Sequence, residues 1–292
     1  GVNSSIKLKK ETTYGTRPTA VADILHPFAS EGIELVLNRL TSPEITGGVA
    51  IASVYDGGRF VRGPVSGVVN YTNMDHWVYG VLGAVTETTP IGGEALTSSK
   101  VYKPSATQPS IHMEISRGDI PTGKIFRYSG MKVSKLDINF SLPGFLNYTA
   151  DLVGKNEESV DAGDDPDGTA DLTPVSLPVV MTSAEITAYD IGVGTATAYC
   201  IKSGRITIDR KLGTDDFCVG SANPREPIAT DFMECTGEFV IEFEDRLAFN
   251  AFKAQSDQIA DLTCVSTTEI VAGGTANFYT LRIRINKFRY DS

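Results

Sequence analysis

Residues 135–142 read Lys-Leu-Asp-Ile-Asn-Phe-Ser-Leu, with a polar side chain at every odd position and an apolar one at every even position. A period of two residues is typical of a β-strand that buries one face and leaves the other in water. Residues 205–209 and 238–244 repeat this alternation. We therefore predict a mainly β protein with these core-facing residues: Leu136, Ile138, Phe140, Phe239, Ile241 and Phe243.

The strand pattern nearest the C-terminus changes phase. Residues 281–285 alternate apolar and polar side chains, but Phe288 and Tyr290 fall on the opposite phase. An extra residue in one strand, a β-bulge, reverses the facing of every residue after it. The pattern therefore predicts a bulge near Asn286.

Two segments favour helices. In residues 74–84 and 245–255, apolar side chains recur at helical spacing and share one face. The pairs Ser66-Gly67 and Thr236-Gly237 lie ahead of these segments at an offset of 170 residues. This offset suggests an internal duplication of a strand–helix–strand unit.

Composition divides the chain into two halves and a linker. We predict a first half over residues 1–155, with an N-terminal arm at 1–16 and a long Gly-rich and Pro-rich loop at 41–64. An acidic linker loop follows at 156–174, and a second β-rich half at 175–292.

The linker region holds most of the excess negative charge. Residues 151–171 contain eight acids and one base, which contributes −7 to the net charge of −10. The stretch 164–168, which reads Asp-Asp-Pro-Asp-Gly, and Asp171 resemble a fragment of a calcium loop. We expect a solvated acidic loop, with a calcium site as the alternative.

The motifs argue against an enzyme. The chain has no G-x-S-x-G turn, no G-x-G-x-x-G run and no G-x-x-x-x-G-K-S/T loop. All three histidines lie in the first half and all four cysteines in the second, so neither a hydrolase triad nor a zinc site of local spacing is indicated. We predict no catalytic residue, no metal and no cofactor.

Charge and hydropathy argue against two classes of partner. The chain lacks the basic stripe of a protein that grips nucleic acid. No apolar run approaches the roughly 18–20 residues that cross a bilayer, so we expect no membrane partner. The first residues lack the apolar core of a signal peptide, and we expect a protein that is made and kept in a cytoplasm.

Several segments resemble the tail tube, or major tail, protein of bacteriophages with long non-contractile tails, the siphophage type. In that family a first strand is followed by an E-x-T-x-G-T turn, which residues 11–16 match as Glu-Thr-Thr-Tyr-Gly-Thr. Further segments follow in family order, and they read SPEI at 42–45, GPVSG at 63–67, FRYSGMKV at 126–133 and DLVGK at 151–155. The resemblance is closest over residues 1–155.

The resemblance implies a β-sandwich or β-barrel tail tube fold with flanking helices. It implies subunits that form homo-oligomeric rings, six-fold in the family, which stack into a hollow tube for genome ejection. The expected partners are the tape measure, terminator and distal tail proteins, and double-stranded DNA passes through without specific binding. The expected location is the virion tail, assembled in the cytoplasm of the host bacterium.

Two other readings remain open at the level of sequence. One is a different virion component, either a tail terminator or a capsid decoration protein. The other is a carbohydrate-binding β module or adhesin, although the chain has a single Trp. Rings or tubes seen by electron microscopy would favour the tail tube, and glycan-binding monomers the adhesin.

Two sets of residues are predicted to serve assembly. Apolar residues in the arm and in the irregular segment 41–64 need a partner surface, so we expect contacts between subunits or rings from Ile6, Leu8, Tyr14, Ile45, Val49, Ile51, Tyr55 and Phe60. A tube wall built from sheet presents one alternating face inward. We expect an acidic lumen that includes Asp137, Asp209, Glu238, Glu242 and Glu244, because a basic lining would hold DNA.

Overall fold

The computed structural model describes residues 4–18, 24–44, 53–89, 97–118, 125–160, 177–183, 185–192, 200–214, 216–242, 246–270 and 277–291, and structural statements refer to this part of the chain. It contains two helices, α1 (Asp75–Leu82) and α2 (Leu247–Ala254). The strands are β1 (Ser5–Lys10), β2 (Ile24–His26), β3 (Ser30–Glu31), β4 (Glu34–Thr41), β5 (Val54–Val68), β6 (Gly83–Thr88), β7 (Ser99–Pro104), β8 (Ile111–Ser116), β9 (Ile125–Ser141), β10 (Asn147–Gly154), β11 (Asn156–Val160), β12 (Ile186–Gly192), β13 (Ile201–Asp209), β14 (Glu234–Ile241), β15 (Gln258–Glu269) and β16 (Phe278–Phe288).

Strand β9 joins two sheets because it is long enough to belong to both. Its first half pairs with β8 and β11, and its second half pairs with β10 and β13. Gly130, at the change-over, has a φ of 68°, a left-handed conformation that favours glycine. The first sheet continues from β8 to β1 and then to β2.

The second sheet contains an unbroken antiparallel series in the order β14-β13-β9-β10-β5-β4. Strand β3 also pairs with β5, on the same side as β4. A separate three-stranded sheet, β12-β15-β16, supplies a further layer, and β6 and β7 form a hairpin after α1. Leu262, Leu281 and Ile283 of the separate sheet pack against the main core.

The alternation in β9 produces the predicted core face. Leu136 is fully buried and Ile138 is 7% exposed. Phe140 is partly buried against the same cluster, and Phe239 and Ile241 pack against a smaller cluster built on Ile191 and Ala260. Phe243 lies outside the described residues. The mainly β fold with flanking helices is confirmed.

The bulge near Asn286 is also confirmed. Gln258 lies opposite Phe288, and Ala260 lies opposite Ile285. Between these two pairs β16 advances by three residues and β15 by two, so β16 contains one extra residue. With the extra residue, Phe288 and Tyr290 pack against the same small cluster as Ile285, on which Ile191 and Ala260 are buried. The Phe288 and Tyr290 ring centroids lie 5.5 Å apart in an edge-to-face arrangement.

The structure corrects two predicted segment boundaries. The prediction of an N-terminal arm is wrong for the described residues, because β1 is a strand within the sheet, paired on one edge with β2 and on the other with β8. The loop 41–64 is also too long, since β5 begins at Val54 and continues to Val68, with one register shift against β4. The strand was hidden in the sequence by the Gly57-Gly58 pair and by Gly63 and Pro64 within it.

The boundary between the predicted halves is crossed by the large sheet. Strand β11 takes up the first five residues of the predicted linker, and the rest of the linker to residue 174 lies outside the described residues, together with the candidate calcium ligands. Strand β13 of the second half pairs along its length with β9 of the first half. The division into two halves and the internal duplication stay predictions.

Candidate functional site

One face of the antiparallel series β14-β13-β9-β10 is polar across its whole width. Strand register aligns its residues in three rows: Glu238, Arg205, Asn139 and Asn147; Thr236, Thr207, Asp137 and Thr149; and Glu234, Asp209, Lys135 and Asp151. The opposite face carries the core residues described above. This set of twelve residues is called the polar face.

The polar face is acidic. Its strand residues include five carboxylates and two cations, a net charge of −3. Lys211, just beyond β13, adds one positive charge, because its ammonium lies 3.3 Å from Asp209 and 2.8 Å from Glu234. Burial raises the pKa of Asp151, and the nearby carboxylates of Asp137 and Asp209 raise it further.

Asp137 sits at the centre of the polar face and is almost fully neutralised. Its carboxylate lies 2.9 Å from the Arg205 guanidinium and 3.2 Å from the Lys135 ammonium, and it accepts a hydrogen bond from the Thr207 hydroxyl. Burial raises the pKa of Asp137, but these hydrogen bonds outweigh it, so the pKa lies below its usual value. Asp137 is only 5% exposed, so it contributes little free charge to the surface of the polar face.

The other predicted acidic residues are scattered. Asp209 and Glu238 lie on the polar face with Asp137, and Glu238 is exposed opposite Arg205. Glu242 is exposed beyond the end of β14 and lies 3.1 Å from the Lys202 ammonium. Glu244 lies outside the described residues.

A cross-strand charge pairing joins β15 and β16. Arg282 donates from Nε to Asp261 at 2.9 Å, and Arg284 lies 3.9 Å from the same carboxylate. Both arginines belong to β16 and the carboxylate belongs to the neighbouring strand β15, so the pairing links the two strands.

The series of strands ends in two open edges. Among the described residues β14 is paired only with β13, and most of its residues are exposed. At the other end β4 is paired only with β5, and Leu37 and Leu40 are 51% and 58% exposed. Open edges present unpaired backbone N–H and C=O groups and are templates for pairing with another chain.

The predicted contact residues divide into three groups. Ile6 and Leu8 are fully buried in the core, so they are not available to a neighbouring subunit and this part of the expectation is wrong. Ile45, Val49 and Ile51 lie outside the described residues. The remaining residues are Tyr14, which is half-buried; Tyr55, which is 59% exposed; and Phe60, which is half-buried.

Tyr14 belongs to a local cluster instead of a free surface. Its ring lies 5.8 Å from the Lys132 ammonium and 5.6 Å from that of Lys155. Such cation–π contacts fix the turn that follows β1. The same turn is held by Glu11, whose carboxylate accepts hydrogen bonds from the backbone N–H groups of Gly15 and Gly130, both at 2.8 Å.

Some exposed apolar residues were not predicted from the sequence. Leu37, Leu40 and Val54 accompany Tyr55 on the β4–β5 hairpin. Between β13 and β14, a long connection exposes three more: Val219, Ile228 and Phe232. Apolar residues within an irregular stretch that includes Gly220, Pro224 and Pro227 were the available signal.

The described residues contain no group of three or more His, Cys, Asp or Glu side chains arranged to hold a metal ion. No helix in the described part of the chain has the length and apolar character needed to cross a bilayer. The four cysteines are free thiols.

Comparison with known proteins gives one family. No curated protein matches the chain. The family model described as phage tail tube protein matches residues 1–284. Because this match covers nearly the whole sequence, the chain belongs to the phage tail tube protein family and is a structural component of a phage tail.

Proposed function

We propose that subunits close head to tail into rings, that the rings stack into the tube of a long non-contractile tail, and that the genome is ejected through it. The observation that carries this proposal is the antiparallel series with one open edge at β14 and the other at β3 and β4, which both pair with β5. Six-fold rings, and the tape measure, terminator and distal tail proteins as partners, are proposed on the resemblance to the family.

The number of strands in the series favours ring closure. Six strands that alternate in direction leave β14 and β4 running in opposite directions. When a second copy is placed head to tail, the edge formed by its β3 and β4 therefore meets β14 of the first copy as an antiparallel neighbour. Pairing of this kind removes both open edges, and it generates a ring if the rotation between copies closes.

The polar face is the surface we propose for the lumen. It combines hydroxyl and amide side chains with an excess of carboxylates. Its two cations, Arg205 and Lys135, both pair with the Asp137 carboxylate, so the wall offers few free cations that could release counterions from DNA and bind it. At physiological salt its repulsion reaches about 8 Å, so it keeps DNA from adhering without obstructing a wide channel.

The β4–β5 hairpin is the part we propose for contact with a neighbouring ring or subunit. Its described residues expose Leu37, Leu40, Val54 and Tyr55, each by more than half. Contiguous exposed apolar side chains on a subunit commonly mark an interaction surface. Family membership and this assembly role favour a protein without catalytic turnover.

Electron microscopy of the purified chain, combined with a variant that blocks one edge, tests the proposal. Glu242 N–H donates toward β13, to the Cys200 carbonyl at 2.8 Å. Because N–H directions alternate along a strand, the N–H of Cys235 points to the open edge. Cys235→Pro removes that outward donor without removing a hydrogen bond to β13.

We expect the wild-type chain and the control Cys235→Ala to form rings or tubes, and Cys235→Pro to fold but stay monomeric. Tubes formed equally by Cys235→Pro would contradict pairing through β14. A wild-type chain that stays monomeric at high concentration and binds glycans would favour the adhesin instead.

A further inference from the structure

The separate three-stranded sheet has the same connectivity as part of the first sheet. In the first sheet β1 pairs with β8, and β8 pairs with the first half of β9, all antiparallel. In the separate sheet β12 pairs with β15, and β15 pairs with β16, again all antiparallel. In both sheets the last two strands follow one another directly along the chain. The arrangement of β1, β8 and β9 therefore recurs in β12, β15 and β16.

The chain between these strands also recurs. Between β1 and β8 it forms the β4–β5 hairpin and then α1, and between β12 and β15 it forms the β13–β14 hairpin and then α2. Each helix has eight residues and ends at a left-handed residue, Gly83 or Gln255, whose N–H donates back into the last turn. The helices begin at residues 75 and 247, an offset of 172 that is close to the 170 between Ser66-Gly67 and Thr236-Gly237.

Six elements thus share their order, their partners and their strand directions. A duplicated unit explains all of these matches together, because each copy of the unit folds by the same pairings. We call residues 5–154 unit 1 and residues 186–288 unit 2. Unit 1 contains further strands that the described part of unit 2 does not show, among them the β6–β7 hairpin and β10.

The place of β10 is the difference that matters for assembly. In unit 1, β10 covers the edge of β5 that faces away from β4. Its side chains Tyr148, Ala150 and Leu152 are each at most 1% exposed, so it completes the core as well as the sheet. Within the described part of unit 2, no strand takes this place beside β14. Unit 2 is therefore open at the edge where unit 1 is closed, and such an edge is a template for another chain.

The chain itself contains one junction between units. Strand β9 of unit 1 pairs with β13 of unit 2 over residues Lys135–Ser141 and Ser203–Asp209, and Arg205 reaches across it to the Asp137 carboxylate at 2.9 Å. Strand β13 is the first hairpin strand of unit 2, as β4 is of unit 1. The first hairpin strand of one unit therefore extends the sheet of the unit before it. The β3–β4 edge has this same role in the junction proposed above between copies.

We propose that each chain is a fused pair of ring-building units, so that a ring of n chains contains 2n units. Two kinds of junction alternate around the ring: β9 with β13 inside a chain, and β14 with the β3–β4 edge between chains. The inference rests on the ring assembly proposed above and adds the number of chains that a ring needs. The six-fold symmetry proposed above is then a symmetry of units, and one ring contains three chains.

Fusion of two units has a physical consequence for assembly. Linking two modules makes the contact between them intramolecular, so the β9–β13 junction forms when the chain folds and does not depend on protein concentration. Only the junctions at β14 have to form between separate molecules. A ring of 2n units therefore assembles with half the number of association steps that single units would need.

Counting chains and units in the same rings tests the inference. Native mass spectrometry of the smallest closed assembly gives the number of chains, from the chain mass of 31.3 kDa. End-on averages from electron microscopy give the rotational harmonics of the ring wall. We expect the strongest harmonic to have twice the order of the chain number, with a weaker harmonic at the chain number because units 1 and 2 differ.

Three chains with a strongest harmonic of order six is the expected result. A chain number equal to the order of the strongest harmonic, such as six chains with order six, overturns the fused pair while leaving ring formation intact. A wild-type chain that forms no rings at any concentration overturns the proposed function itself, and the inference with it.

Discussion

Glu11 offers the sharpest test of how the N-terminal turn holds the fold together. Its carboxylate accepts hydrogen bonds from Gly15 N–H at 2.8 Å, Ser110 Oγ–H at 2.6 Å and Gly130 N–H at 2.8 Å. It thereby joins three segments: the turn after β1, the entry to β8 and the left-handed change-over in β9. The perturbation is Glu11→Ala, which removes the shared acceptor of all three donors.

The expected loss follows from the number and type of these hydrogen bonds. A hydrogen bond to a charged group contributes about 1.5–3 kcal/mol, and contributions within one network are not additive. Truncation also leaves two backbone N–H groups without their acceptor. We expect Glu11→Ala to lower the free energy of unfolding by about 3–5 kcal/mol, and Glu11→Gln, which keeps one carbonyl oxygen, by about 1–3 kcal/mol.

Urea unfolding measures this loss through the fluorescence of Trp77, the single tryptophan, which is fully buried. A lower midpoint with an unchanged slope is the expected result. Asp216→Ala is the control, because Asp216 makes only an exposed contact at 3.7 Å, and a change below about 0.5 kcal/mol is expected. If Glu11→Ala unfolds within 0.5 kcal/mol of the wild type, the turn does not organise the three segments as argued.

Three further predictions concern the core, the lumen and the hairpin. Burial, with a smaller contribution from His76, lowers the pKa of His26 to about 3, and its Nε2 accepts from Trp77 Nε1–H at 2.8 Å. In the unfolded state the His26 pKa is near 6.5, so the unfolded chain binds a proton at a higher pH than the folded chain does. The free energy of unfolding should therefore fall by up to about 1.4 kcal/mol per pH unit as the pH drops from 6.5 toward 3. The free energy of unfolding of His26→Gln, measured across the same range, should fall less steeply. Glu234→Lys with Glu238→Lys should give tubes that retain double-stranded DNA in a salt-dependent manner, and wild-type tubes that retain DNA equally well at low salt would contradict an acidic lumen. Leu40→Ser with Tyr55→Ser on the hairpin should leave subunit stability within about 0.5 kcal/mol of the wild type but shorten the tubes seen by electron microscopy, and tubes of normal length would remove the hairpin from the contacts.

Local patterns predicted the elements well because they depend on residues close together in sequence. The alternation in residues 135–142 identifies both the strand and its buried face, since Leu136 and Ile138 are buried in the core. The change of phase near Asn286 identifies a bulge for the same reason. The helices at residues 75–82 and 247–254 follow from apolar spacing within two turns.

Candidate contact residues were predicted less well, because exposure is not a local property. Ile6 and Leu8 resemble an apolar arm in the sequence, yet β1 is enclosed between β2 and β8. Tyr55 fits an exposed contact, but the irregular look of the surrounding segment conceals a strand. The sequence shows which residues are apolar, but it does not show whether the core of the same subunit or a neighbouring subunit covers them.

The sequence by itself determined the class of fold, the strand faces, the two helices and the family resemblance, because each depends on periodicity or on motifs within a short stretch. Only the tertiary structure decided that β13 lies beside β9 and that Asp137, Asp209 and Glu238 share one face. These facts depend on pairing between segments tens of residues apart, where a shift of one residue would place every side chain on the opposite face. Register of this kind is fixed by the packing of the whole core, and no local stretch of the sequence contains it.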